Sequence, residues 1–123
     1  MTPQPILVVD DDEFIREILC AFVDESFGIP TCNATNGEEA LAIIHDVRPL
    51  LIIMDVRMPK RGGFEVLSEL KAAEATRAIP VVMMSAGVGP QTRSEALALG
   101  ADAYSPKPFD FEVLEAMIRA LIP

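Results

Sequence analysis

The stretch Leu50-Leu-Ile-Ile-Met-Asp55 decides the fold. Five apolar residues without polar alternation describe a strand buried on both faces, and a carboxylate stands directly behind them. Two further runs share the pattern: Ile6-Leu-Val-Val9, which meets Asp10-Asp-Asp12, and Val81-Val-Met-Met84, which meets Ser85. Strands of this kind belong to a parallel sheet with helices on both sides. Two weaker strands, Pro30 to Ala34 and Asp102 to Ser105, carry polar residues and include or adjoin a proline, as edge strands do.

Helical periodicity fills the gaps. Ile15, Ile18, Leu19, Phe22 and Val23 give one apolar face from about Glu13 to Phe27. Asn36-Gly-Glu-Glu39 opens a second helix through Ala40, Leu41 and Ile44, with Asn36 as N-cap and Glu39 three residues on. Phe64, Leu67 and Leu70 mark a third. Ala96, Leu97 and Leu99 mark a short fourth ending at Gly100, and Phe111 to Ile122 a fifth. The order is β-α five times, without internal linker, repeat or low-complexity stretch. Right-handed crossovers make such a chain reverse direction once if helices are to cover both faces. With the three strongest strands central, the predicted strand order is 2-1-3-4-5. This is an α/β, doubly wound, flavodoxin-like (βα)5 fold with its ligand site at the switch point between strands 1 and 3. Those two strands end in Asp10-Asp11-Asp12 and in Asp55.

Composition bounds the function. The 123 residues and 13.4 kDa suit one domain over residues 1–123, with residues 1–4 as a short tail. Ten basic against nineteen acidic residues give a net charge of −9, which argues against direct binding to nucleic acid or an anionic membrane. The apolar runs fall far short of the roughly 18 residues a spanning helix requires. No charged-then-apolar leader opens the sequence, so a cytoplasmic location is expected. Cys20 and Cys32 are too few for a disulfide framework and read as buried thiols in a reducing compartment.

An isolated acidic run is ordinarily a solvated loop with one carboxylate capping the next helix. Asp55, behind an independent buried strand at the switch point, changes that reading. Carboxylates gathered at one rim repel each other and need a cation. Hard oxygen ligands with few dedicated protein groups favour Mg²⁺, which keeps part of its water shell and shares coordination with phosphate. Ser85 and Lys107 follow the fourth and fifth strands on the same rim, where a hydroxyl and an ammonium suit the oxygens of a phosphoryl group. His45, the one histidine, lies near the end of the second helix and reads as a surface residue.

The motifs Ile6-Leu-Val-Val-Asp-Asp11, Asn36-Gly-Glu-Glu-Ala-Leu41, Met54-Asp-Val-Arg-Met-Pro59 with Gly63, Met84-Ser-Ala86, Gly100-Ala-Asp-Ala-Tyr104 and Lys107-Pro-Phe109 occur in order along the chain. From Ile6 to Ile122 the sequence closely resembles the CheY-like receiver domain of bacterial two-component response regulators. The resemblance implies that Asp55 is a phosphoacceptor, served by the phosphohistidine of a sensor histidine kinase or a histidine phosphotransfer protein. It implies a Mg²⁺ site in which Asp11 is the main acidic ligand and Asp10 acts largely through water, with Asp55 and the Arg57 backbone carbonyl completing the set. Ser85 would bind a phosphoryl oxygen and Lys107 would bridge carboxylate and phosphoryl, with Lys107-Pro108 a candidate cis peptide. Ser85 and Tyr104 would form the switch to an active state, and the domain would dephosphorylate itself. Asp12 remains a cap or an outer charge. Arg57 and Gly87, each two residues past a site residue, depart from the family pattern where they would tune phosphoryl lifetime, and Gly62 replaces an acidic or amide residue. Gly87, Gly89 and Pro90 give the loop after Ser85 a mobile start and a stiff end.

The last helix carries two stripes. Leu114, Ile118 and Leu121 share one face, while Val113, Met117 and Ala120 form a second that covering one sheet face does not require. A contact patch follows, serving a partner or a homodimer through the face of the fourth helix, fifth strand and fifth helix. Phe14, beside the acidic rim, is a candidate contact for kinase helices. The kinase and the downstream target stay unknown, and a receiver cut from a longer regulator or hybrid kinase is an alternative within the class. A haloacid-dehalogenase-like phosphatase would need a second Asp where Arg57 stands. A flavodoxin-like electron carrier would need a phosphate loop where three aspartates stand.

Overall fold

Residue parity along three strands builds two cores. The computed structural model describes residues 4–86 and 90–123. Its elements are β1 (Ile6–Val9), α1 (Glu13–Phe27), β2 (Thr31–Ala34), α2 (Gly37–Val47), β3 (Leu51–Asp55), α3 (Gly63–Ala72), β4 (Val81–Ser85), α4 (Pro90–Ala98), β5 (Ala103–Pro106) and α5 (Phe111–Leu121). The strands form one parallel sheet in the order β2-β1-β3-β4-β5, as expected. Leu7, Val9, Ile52, Met54, Val81 and Met83 point to one face and close against Ala40 and Ile44 of α2, Val66, Leu67 and Leu70 of α3, and Ala96 of α4. Ile6, Val8, Leu51, Ile53, Val82 and Met84 point to the other and close against Leu19 and Val23 of α1 and Leu114 and Ile118 of α5. Every one of these strand side chains is fully buried, which is why the runs show no polar alternation.

Local chemistry sets the boundaries. Asp12 Oδ1 accepts from the N–H groups of Phe14 (2.9 Å) and Ile15 (3.4 Å) and so starts α1. Gly28, at φ +64°, ends it. Asn36 Oδ1 accepts from the Glu39 N–H at 2.9 Å, as the motif predicts. The Glu39 carboxylate instead accepts from Thr35 Oγ1 at 3.0 Å.

Four expectations shift. β3 and β4 each run one residue further than their apolar cores, so Asp55 and Ser85 are the final strand residues rather than the first loop residues. β5 starts at Ala103, because the Asp102 carboxylate turns away to accept from the Val81 N–H at 2.9 Å and from Lys71 Nζ at 3.3 Å. Leu97 does not belong to the apolar face of α4: it is 43 % exposed while Ala96 is buried. Cys20 and Cys32 are free but only half-buried: Cys32 lies on edge strand β2, and Cys20 meets that edge from α1, its Sγ donating to Asn33 Oδ1 at 3.3 Å. Burial, reinforced by neighbouring Cys20, pushes the Cys32 thiol up. Among the described residues no helix is long and apolar enough to cross a membrane.

The rim where the strands begin is closed by a lysine. Lys71 Nζ, at the end of α3, donates to the carbonyls of Arg77 (3.0 Å) and Ile79 (3.1 Å) and to Asp102 Oδ2. Gly100, at φ +105°, passes beside its stem, where an added Cβ would lie 2.9 Å from Lys71 Cγ.

Candidate functional site

The opposite rim, where the strands end, holds the acidic residues. Asp10 follows β1 and is completely buried. Its N–H donates to the Ala34 carbonyl at 3.2 Å, and its own carbonyl accepts from Arg16 Nη1 at 2.8 Å. Asp10 Oδ1 accepts from the Asp12 N–H at 2.9 Å, and Oδ2 accepts from Lys107 Nζ at 2.7 Å. Asp55, 6 % exposed, places Oδ1 3.3 Å from the same ammonium. Asp11 is exposed, yet one of its oxygens joins one each from Asp10 and Asp55 within 4.8 Å of one another. Three carboxylates around one ammonium leave two formal negative charges uncompensated.

The donor set fits a hard divalent cation. All three side chains offer carboxylate oxygens, two are buried and held in place, and the third opens to solvent, which leaves such a cation room to keep water. Electrostatics agree. Burial pushes the Asp55 carboxyl above its usual range, Lys107 pulls it back, and the charges of Asp10 and Asp11 push it up again. For Lys107, burial disfavours the charge, but the hydrogen bond it donates to Asp10 and the charges of Asp55 and Asp10 more than offset it and raise its pKa.

The other sequence-derived candidates fall as follows. Asp12 caps α1 and stands outside the carboxylate group. Ser85 is buried at the end of β4, and its carbonyl accepts from the Lys107 N–H at 2.9 Å, which ties the two residues to one strand pair. The Lys107–Pro108 peptide is cis. Arg57 is exposed on the loop after Asp55. Tyr104 is almost fully buried within the core under α2, α3 and α4, beside its strand partner Met83. Gly87 and Gly89 lie outside the described residues, while Pro90 begins α4. Phe14 is 67 % exposed, two residues past the Asp12 cap. Val113 is exposed and Met117 half-buried on the outer side of α5. His45 is exposed on α2.

Two residues matter more than their sequence signal suggested. Gly63 was legible as part of a motif, without a reason. A Cβ there would collide with the Asp55 carbonyl oxygen and come within 2.9 Å of Met83 Cε, so α3 begins in direct contact with the Asp55 backbone. The loop between them is closed by the Gly63 N–H donating to the Val56 carbonyl at 2.8 Å, and it rests on Gly37, whose missing Cβ leaves room for Arg61. Arg16 gave no signal at all, because an arginine on an amphipathic helix reads as a solvated charge; only its bond to Asp10 reveals it.

Comparison with known proteins agrees with this arrangement. The response regulator receiver domain family matches residues 6–119. Over 118 residues the chain is 42 % identical to the transcriptional regulatory protein CpxR of Klebsiella pneumoniae, covering 95 % of this chain and 48 % of that one. The chain spans about half the length of the first curated relatives it matches. Among solved structures, a putative response regulator from Chloroflexus aurantiacus superposes with a TM-score of 0.91 at 28 % identity, covering 97 % of each chain. The chemotaxis response regulator CheY4 of Vibrio cholerae superposes with a TM-score of 0.88 at 30 % identity, covering 98 % of this chain and all of the other.

Proposed function

The chain belongs to the response regulator receiver family, and from that premise we propose that it is a phosphoacceptor switch in which Asp55 takes a phosphoryl group from a phosphohistidine. The observation that carries this reading is the half-buried ammonium of Lys107 bridging Asp10 and Asp55 beside an excess of negative charge. A carboxylate oxygen of Asp55 attacks the phosphorus. The P–N bond of the donor breaks, a P–O bond forms, and the imidazole leaves with a proton. Negative charge approaches negative charge in this step, so positioning and neutralisation supply most of the catalysis. Lys107 moves its interaction from the Asp55 carboxylate onto the phosphoryl oxygens, and the Ser85 hydroxyl donates to another. Asp10, Asp11, Asp55 and the Arg57 carbonyl would hold Mg²⁺, which when bound neutralises phosphoryl oxygens. Water attack on the acyl phosphate releases phosphate and restores the carboxylate, so the modification is temporary.

In this reading Ser85 and Tyr104 form the switch, and the phosphorylated state gains stability because its new anion interacts better with the shifted hydroxyl. The donor is a sensor histidine kinase or a histidine phosphotransfer protein whose helices meet Phe14. The output face comprises α4, β5 and α5, with Val113 and Met117 contacting a downstream target or a second copy. Several relatives are named as transcriptional regulators and are about twice as long as this chain. This chain acts as a single cytoplasmic receiver unit that accepts the phosphoryl group. Incubation with a small acyl-phosphate donor and Mg²⁺ is expected to add one phosphoryl mass to the intact protein, and Asp55→Asn to prevent it. Undiminished labelling of Asp55→Asn would remove Asp55 from the mechanism.

A further inference from the structure

Beyond a strand end, main-chain groups lose their ladder partners and must find others. The Asp10 N–H still reaches the Ala34 carbonyl of the neighbouring strand, but the Asp10 carbonyl turns toward α1, where Arg16 Nη1 meets it at 2.8 Å. Arg16 is attached to the acidic turn twice, because its own N–H donates to the Asp12 carbonyl at 3.1 Å. Glu13 and Glu17 flank it in the groove it shares with Cys20 and Asn33, and the guanidinium nonetheless donates to the Asp10 carbonyl. The peptide group it grips joins Asp10 to Asp11. Rotation of that plane swings the Asp11 Cα, and with it the one exposed carboxylate of the cluster.

We propose that Arg16 is a positioning residue that locks the Asp10–Asp11 peptide so that the carboxylates of Asp10 and Asp11 converge on a divalent cation. The inference rests on the reading of the cluster as a Mg²⁺ site. Two physical effects of Arg16 on that site have opposite signs. A fixed cation near a cation site weakens binding by repulsion, so loss of the charge alone would tighten Mg²⁺. Loss of the orientation would weaken it, as removal of groups that orient ligands does in other metal sites.

The test is a Mg²⁺ titration of the full chain, followed by backbone amide resonances. Wild type is expected to saturate, and Asp11→Asn to lose the response. Arg16→Gln is expected to raise the dissociation constant roughly tenfold, with Arg16→Lys falling between it and the wild type because the charge stays while the planar fork is lost. Arg16→Gln binding as tightly as wild type, or more tightly, overturns the proposal while leaving the metal site intact. A wild type that does not bind Mg²⁺ overturns the site reading instead. Should Arg16→Gln fail to fold, the wild type still decides. The Arg16 Nε–H resonance is expected to move with the same midpoint as the Asp10 and Asp11 amides, and an unmoved resonance overturns the proposal.

Discussion

Each rim of the sheet carries a lysine paired with an aspartate, and the two pairs differ in what surrounds them. At the rim where strands begin, Lys71 meets one carboxylate, Asp102, and two main-chain carbonyls, while Asp102 also receives the Val81 N–H. Charge cancels and donors find acceptors. At the rim where strands end, Lys107 meets two buried carboxylates with a third close by. There the charge does not cancel, and burial makes the excess costly. A balanced pair ties a loop to a strand; an unbalanced one gains stability from a further cation and is ready to handle an anion. The residue types are the same, and the stoichiometry separates a structural tie from a reactive site.

The contrast is broken most directly through the aspartates. Asp55→Asn is expected to abolish phosphoryl incorporation and, in metal-free buffer, to raise Tm by a few degrees, about 3–6 °C. The sign follows from the environment. Burial and the neighbouring carboxylates hold the folded-state pKa of Asp55 above its unfolded value, so its ionised form opposes folding at neutral pH. Asp102→Asn is expected to leave incorporation unchanged and to lower Tm. Mass spectrometry and thermal melts read both, and a drop in Tm for both variants would erase the distinction between the rims.

The glycines sharpen it next. Gly63→Ala forces a Cβ into the Asp55 backbone and is expected to cost about 2–3 kcal/mol in urea unfolding, because a carbonyl in a strand cannot yield as a side chain can. Gly100→Ala meets the flexible stem of Lys71 and an unfavourable positive φ, for about 1–2 kcal/mol. Equal costs would mean that the Asp55 backbone is softer than its neighbours suggest.

The lysines give a smaller effect. Lys107→Met removes a cation from the acidic cluster and is expected to tighten Mg²⁺ binding roughly threefold to tenfold, while slowing phosphoryl transfer. Lys71→Met is expected to leave Mg²⁺ affinity alone and to cost about 1–2 kcal/mol through its unsatisfied partners. Calorimetry and unfolding separate the two, and weaker Mg²⁺ binding in Lys107→Met would contradict the excess-charge account. Smallest of all, saturating Mg²⁺ is expected to raise the wild-type Tm by about 1–3 °C through preferential binding to the folded state. Asp102→Asn should retain that shift and Asp11→Asn should lose it.

Much of this arrangement can be read from residue patterns. Strands β1, β3 and β4 are continuous apolar runs because two helical layers bury them, and the strand order follows from which runs are strongest. The carboxylates and Ser85 stand directly behind those runs and Lys107 behind edge strand β5, so their convergence follows from the topology. Edge strands are less legible: β5 slips by one residue because Asp102 spends its carboxylate on Val81 and Lys71, a contact between segments far apart in the chain. Leu97 misleads because a residue type cannot reveal which side of a weakly amphipathic helix faces the core. Arg16 stays hidden for a related reason, since its role lies in the direction of its guanidinium and not in its spacing. The balance of charge at each rim is likewise a property of distances.

Helix α3 touches both rims. Its first residue, Gly63, stands against the Asp55 carbonyl, and its ninth, Lys71, grips the opposite end of the sheet. Ten residues of helix span roughly 15 Å, and the buried side chains of Val66, Leu67 and Leu70 seat that rod on the sheet along its length. A reporter placed on the outward side of its last turn would therefore sense a jolt delivered to the Asp55 backbone from the far pole of the molecule, well clear of the chemistry that caused it.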